Sequence, residues 1–147
     1  MSRTSVTTIA WSTFLLVVFA VVGCRSLRPE TIAAGETCFR CRHVIADARL
    51  GAEMLNGPLP TKYRGPNCLA RYLKAHPDPH AQLFVTDYNS GALFDPARAW
   101  LVPVITNDRT GARDYRAYQA RSAADAAARE LHTSAVRWTT VMERAQL

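Results

Sequence analysis

The residues best suited to chemistry lie in one short stretch. Cys38 and Cys41 form a C-x-x-C pair, and His43 follows two residues later. Two thiols at this spacing can point at one centre, and soft sulfur donors with an imidazole favour Cu(I) or Zn(II) over hard cations. Arg40 and Arg42 would help to keep the thiols ionised by lowering their pKa values. The spacing predicts a soft-metal site, with a small disulfide loop as the alternative.

Two more sulfur-bearing residues are candidate ligands. Cys68 is predicted at the start of a helix, where the helix dipole favours a thiolate, and the alternative is a small buried apolar residue. Met54 offers a thioether to Cu(I), and the alternative is packing in a loop. The predicted metal ligands are therefore Cys38, Cys41 and His43, with Cys68 or Met54 as an extra ligand.

The composition limits the class of protein. The chain has 147 residues, of which 48% are hydrophobic, so it is long enough for one small domain or two very small modules. Its formal net charge is +6, but the arginines are scattered rather than clustered, which argues against a nucleic-acid partner. We find no glycine-rich phosphate loop, G-x-S-x-G elbow or H-E-x-x-H helix in the sequence, and we do not expect an enzyme.

The first 24 residues predict export. Arg3 precedes an apolar stretch over residues 9–22, which is typical of a signal peptide. Small residues before Cys24 resemble a bacterial lipobox, in which cleavage leaves that cysteine carrying lipid; an uncleaved anchor is the alternative. We expect a signal peptide over 1–23, a lipidated tether over 24–36, and a membrane-anchored lipoprotein facing the periplasm, on the outer membrane in a Gram-negative cell. Lipidation of Cys24 leaves three usable thiols, an odd number that cannot all pair.

The elements that must position these thiols follow the same order twice. Strands are predicted at 43–46, 62–64, 83–85 and 92–94, with a loop or hairpin region around Met54 and a helix over 68–75 capped by Asn67. One helical turn from Asp95, strands at 100–105 and 114–118, a helix over 122–131 begun by Ser122, and a closing strand over 135–141 complete the chain. This order predicts an α+β fold of two small ββαβ modules, about 37–95 and 96–147, each an antiparallel sheet covered by a helix.

Three motifs resemble one known family. They are the cysteine pair near the predicted mature N-terminus, the cysteine-bearing helix over 67–73, and the turn over 85–91, which fits V-x-D-Y-x-T/S-G. In this pattern the chain resembles the NosL-type lipoproteins, accessory proteins of nitrous-oxide reductase assembly. The resemblance implies two ββαβ units that bind one Cu(I) and deliver it to a periplasmic copper enzyme or assembly factor.

The chain also departs from that family. Where the family has C-G-M, this chain has Cys41-Arg42-His43, and the usual P-M-G element is absent from 104–111. One alternative is a structural or interaction lipoprotein with a Cys38–Cys41 disulfide and no metal. A third is enzymatic, because the family's fold is similar to organomercurial lyase, and Asp87 or Asp95 could join the two cysteines in a similar site.

Overall fold

The structure, a computed structural model, describes residues 28–107 and 109–146, so the predicted signal peptide and the lipidation site Cys24 lie outside the described residues. Within that part of the chain, no helix is long and apolar enough to span a membrane. The fold is α+β, as predicted, and has three α-helices and two antiparallel sheets. The elements are β1 (Ala52–Leu55), β2 (Thr61–Tyr63), α1 (Pro66–Ala75), β3 (Gln82–Thr86), β4 (Leu93–Phe94), β5 (Trp100–Asn107), β6 (Ala112–Tyr118), α2 (Arg121–Glu130) and α3 (Trp138–Arg144).

The first sheet has four strands in the order β2-β1-β3-β4. Its strand β1 pairs with Thr61 of β2 and Leu83 of β3 through Met54, in the segment predicted as a loop or hairpin region. The hairpin is the alternative that the structure has, and all four residues of β1 are buried and paired although none is β-branched. The strand predicted at 43–46 is wrong, since only a single bridge joins Thr37 to Val44.

The second sheet is the hairpin of β5 and β6, and α2 covers it with Ala124 and Ala128. A parallel bridge between Asp87 and Ala117 links the two sheets. The helix begins one residue earlier than predicted, after Ala120 rather than at a Ser122 cap. Upstream, a single 3-10 turn over Pro96–Arg98 begins as predicted, with the Asp95 carboxylate accepting a 2.8 Å hydrogen bond from the Ala97 N–H.

The C-terminal segment forms a helix where we predicted a strand. Within the predicted strand, only Val136 forms a β-bridge, and its partner is Leu101 of β5. The second sheet therefore has two strands and this single bridge. The segment includes the β-branched residues Thr139, Thr140 and Val141, and it forms a helix because α3 packs on α1. Lysine and arginine side chains of α1 also donate hydrogen bonds to the carbonyl oxygens at the end of that segment. Lys74 Nζ donates to the Ala145 oxygen at 2.7 Å, and Arg71 Nε donates to the Gln146 oxygen at 2.7 Å.

Helix α1 begins at Pro66, with Gly65 rather than Asn67 as its N-cap. The Asn67 backbone N–H, one of those that a helix leaves unpaired, donates instead to Oδ1 of Asp114 at 2.9 Å. A carboxylate from the second sheet therefore caps the helix of the first. The same hydrophobic core holds Cys38 near the start of the fold and Val141 near its end, across the predicted boundary between modules. The module boundaries themselves stay a prediction.

Candidate metal centre

The C-x-x-C pair lies in a short loop that is closed by its own backbone. The Cys38 N–H donates to the His43 oxygen at 2.9 Å, and the Arg42 N–H donates back to the Cys38 oxygen at 3.0 Å. The Phe39 N–H donates to the Lys62 oxygen at 2.8 Å, which holds the loop against β2. The loop conformation is therefore determined by main-chain hydrogen bonds rather than by a regular strand.

The structure brings three of the five predicted ligands together. Cys68 reaches the loop from the first turn of α1, and the sulfur atoms of Cys38, Cys41 and Cys68 all lie within 4.8 Å of one another. The sulfur atoms of Cys68 and Cys41 are 3.7 Å apart. All three are free thiols; Cys38 and Cys68 are buried, whereas Cys41 is partly exposed. The cluster thus has two buried cysteines and one partly exposed cysteine.

The local electrostatics favour a thiolate at the base of the cluster. The Cys68 thiol donates to the sulfur of Cys38 and lowers the pKa of Cys38; burial opposes this, and the backbone amides of Cys41 and Arg64 reinforce it. The pKa of Cys68 is raised because its proton lies in that hydrogen bond and because the thiol is buried. A thiolate is therefore favoured at Cys38 and a protonated thiol at Cys68.

Arg64 supplies the positive charge beside the sulfurs. Its own burial lowers its pKa, but the nearby Cys68 and Cys41 sulfurs outweigh this, so the pKa of Arg64 is raised. We had assigned the role to Arg40 and Arg42, and the Arg42 guanidinium lies instead over the Phe39 ring, 5.5 Å from its centroid. The only sequence signal for Arg64 was its place just before the helix that carries Cys68.

Asp114 is a buried acid next to this centre that the sequence analysis missed. Its Oδ1 accepts 2.9 Å hydrogen bonds from the backbone N–H groups of Asn67 and Tyr115. Burial raises the pKa of Asp114 to about 6; those two hydrogen bonds and the charge of Arg64 pull the pKa down, and the Cys38 thiolate pushes it up. No sequence signal was available, because Asp114 lies on β6, far along the chain from the cysteines.

With this geometry established, the chain can be compared with known proteins. No protein-family model, curated protein or solved structure matches it. The resemblance to the NosL-type lipoproteins therefore stays a prediction, and the function must be argued from the centre itself.

His43 does not belong to the group of three sulfurs, and Met54 is buried in the same core as Cys38 and Cys68. The His43 side chain is exposed, and its Nδ1 lies 2.9 Å from the Cys41 backbone oxygen. Among the described residues, the only group that could hold a metal contains the three cysteines and no histidine. Met54 lies in β1. Ligand roles for these two residues stay predictions.

Asp87 and Asp95, proposed for the enzymatic alternative, hold turns of their own. Asp87 Oδ2 accepts hydrogen bonds from the Ser90 hydroxyl at 2.6 Å and from its backbone N–H at 3.0 Å, and Oδ1 accepts one from the Gln119 N–H at 3.0 Å. Asp95 caps the 3-10 turn that follows it. Neither belongs to the sulfur group, so their pairing with the cysteines gains no support from the structure.

Arg42 occupies a backbone conformation that normally favours glycine. Its φ is +61°, in the left-handed region that glycine adopts without steric cost. A left-handed conformation costs a residue with a side chain about 1–2 kcal/mol. We expect Arg42→Gly to raise the free energy of unfolding by about 0.5–1 kcal/mol in urea titrations. The gain is smaller than the relieved strain, because the variant loses the Arg42–Phe39 contact and because glycine gives the unfolded chain more conformational freedom.

Arg40→Gly is the matched control, because Arg40 lies in the same loop without a positive φ. There the same change is expected to lower the free energy of unfolding by about 0.5–1 kcal/mol. Equal losses in both variants would contradict the explanation.

Proposed function

We propose that this protein is an exported, membrane-anchored lipoprotein that binds one Cu(I) and delivers it to a periplasmic copper enzyme. The observation that carries the proposal is the group of three free thiols, all within 4.8 Å of one another, contributed by one loop and one helix. Export and anchoring rest on the sequence of residues 1–24 alone. The proposed ligands are Cys38, Cys41 and Cys68, which gives Cys68 the place that the sequence analysis gave to His43.

The spacing of the sulfurs suits a soft metal. A metal about 2.3 Å from each of three sulfurs places those sulfurs about 4 Å apart. The Cys41–Cys68 separation is 3.7 Å, and the group as a whole spans at most 4.8 Å, so only small shifts are needed. No fourth histidine, cysteine or carboxylate belongs to the group in the described part of the chain. Three thiolates without a fourth ligand favour Cu(I), whereas a structural Zn(II) site takes four ligands.

The surroundings suit binding that can be reversed. Arg64 offsets part of the negative charge that three thiolates would gather around a monovalent ion. The proton held by Cys68 must leave when the metal binds, so affinity is expected to rise with pH. Cys41 is the partly exposed residue of the three, which makes it the ligand that a donor or recipient protein reaches first.

Titration with Cu(I) tests the proposal. The full-length chain, purified in mild detergent under anaerobic conditions, is titrated in competition with a chromogenic Cu(I) chelator. We expect one equivalent to bind, and we expect Cys41→Ala or Cys68→Ala to weaken binding by at least about 100-fold. Loss of a direct ligand should exceed the 10- to 100-fold losses that follow removal of outer-shell partners.

Two variants outside the sulfur group serve as controls. His43→Ala and Cys24→Ser should leave the affinity within about threefold of wild type, because neither residue belongs to the three-sulfur group. Sub-stoichiometric or only micromolar binding, unchanged in Cys41→Ala, would refute the proposal. A loss in His43→Ala as large as that in Cys68→Ala would replace the ligand set.

A further inference from the structure

We infer that the metal site is closed by oxidation, through a disulfide between Cys41 and Cys68 that competes directly with metal loading. The inference rests on the proposed function for its metal half. Its thiol half rests only on the geometry of the sulfur cluster. It differs from the Cys38–Cys41 disulfide of the sequence analysis in both the pair that is joined and the cysteine that is left over.

The positions of Cys41 and Cys68 select this pair. Their sulfurs are 3.7 Å apart. A disulfide needs a separation of about 2.05 Å, so the two sulfurs must approach by less than about 2 Å. The Cys41 sulfur lies on a loop outside the named strands, and the Cys68 sulfur lies in the first turn of α1. A small shift of that loop would bring the two sulfurs together.

Solvent access sets the order of events. Cys41 is partly exposed, whereas Cys38 has no accessible surface and Cys68 has 3%. A low-molecular-weight disulfide, R–S–S–R, therefore meets Cys41 first. The Cys41 sulfur bonds to one RS group, the R–S–S–R bond breaks, and RSH leaves with the Cys41 proton. The Cys68 sulfur then displaces the second RS group as RSH, which carries the Cys68 proton. The sum is two thiols and R–S–S–R giving one protein disulfide and two RSH.

The two states exclude each other. A Cys41–Cys68 bond removes two of the three sulfurs that the metal needs and leaves Cys38 as a single buried thiol. A bound metal, in turn, occupies the Cys41 sulfur that the oxidant must reach. The site would thus load only when its thiols are reduced, and a loaded site would resist oxidation.

Disulfide mapping by mass spectrometry tests the inference. All samples use the full-length chain carrying Cys24→Ser, in mild detergent, with oxidised glutathione as the disulfide probe. We expect a loss of about 2 Da and a crosslinked peptide pair containing Cys41 and Cys68. Cys38→Ser should oxidise at a rate within about threefold of the parent. Cys68→Ser should instead slow formation of any internal disulfide at least about tenfold and accumulate the glutathione adduct on Cys41. A Cys38–Cys41 or Cys38–Cys68 bond in the parent, or no internal disulfide, would overturn the inference.

Metal binding separates this inference from the proposed function. The reduced and oxidised forms are each titrated with Cu(I) after removal of glutathione. Binding by the reduced form and a loss of at least about 100-fold on oxidation support both. Equal binding by the two forms overturns the redox control and leaves the proposed function standing. No binding by the reduced form, with the Cys41–Cys68 bond still formed, refutes the proposed function and with it the competition.

Discussion

Gly65→Ala is expected to lower the free energy of unfolding by roughly 3 kcal/mol. The backbone of Gly65 is extended, which any residue adopts, so the cost comes from space rather than from strain. A Cβ at this position would overlap all three carboxylate atoms of Asp114. Either the carboxylate moves and leaves the Asn67 N–H without its partner, or α1 moves and carries Cys68 away from the loop. Urea denaturation measures the loss, and the Cu(I) titration should show weaker binding in the same variant.

Gly57→Ala is the control for the general effect of losing a glycine. Nothing lies within 4 Å of a Cβ at Gly57, so the expected change is at most about 0.5 kcal/mol. In the double variant Gly65→Ala/Asp114→Ala the overlapping carboxylate is gone, so the combined loss should be smaller than the sum of the single losses. A Gly65→Ala variant as stable as Gly57→Ala would contradict the close approach to Asp114.

Asp114→Asn is expected to change how stability depends on pH. Burial raises the pKa of Asp114 to about 6, above the value near 3.9 of an unfolded chain. The folded protein therefore holds this proton more tightly, so the contribution to stability is fully present below about pH 4 and is lost as pH rises through about 6. The difference between the two pKa values corresponds to about 3 kcal/mol. The free energy of unfolding of the wild type minus that of Asp114→Asn, measured by urea denaturation at each pH, should fall by about that amount between pH 4 and pH 7.

Asp87→Asn provides a control of opposite sign. Burial of Asp87 raises its pKa, but hydrogen bonds from Ser90 and Gln119 outweigh this, so the pKa of Asp87 is lowered. Its contribution to stability is present above its unfolded value and is lost as pH falls through its folded value. The free energy of unfolding of the wild type minus that of Asp87→Asn should therefore rise with pH in the acidic range. A difference for Asp114→Asn that stays flat from pH 4 to pH 7 would show that Asp114 titrates normally in the folded protein.

The elements that were predicted correctly are those whose local signals agree with their packing. Helix α1 has Leu69 and Leu73 on its buried face, and β3 is an apolar run between polar residues. The strand β1 was predicted only as part of a loop or hairpin region, because glycines and prolines surround it and none of its residues is β-branched. It becomes a strand only through partners on both edges, with buried Glu53 accepting hydrogen bonds from the Glu30 N–H. Helix α3 was missed because its support comes from Lys74 and Arg71 on another helix.

For the candidate site too, some residues could be predicted from the sequence and others could not. The residue types of Cys38, Cys41 and Cys68 were enough to nominate them, although only the fold shows that their sulfurs meet. Arg64 and Asp114 could not be nominated, because neither belongs to a motif. Their importance arises from burial and from contacts between sequence-distant segments, which no spacing rule along the chain encodes.

The loop that carries Cys38 and Cys41 has a mechanical consequence. It belongs to an N-terminal arm, residues 28–46, that has no named strand but buries Ile32, Cys38 and Ile45 in the core. The Glu30–Glu53 hydrogen bonds, the Lys62–Glu36 ion pair and the Phe39 hydrogen bond add polar contacts to the first sheet. A metal ion bound to the three cysteines would link this arm to α1. Amide hydrogen exchange in residues 37–44 should then be slower with the metal bound than without it.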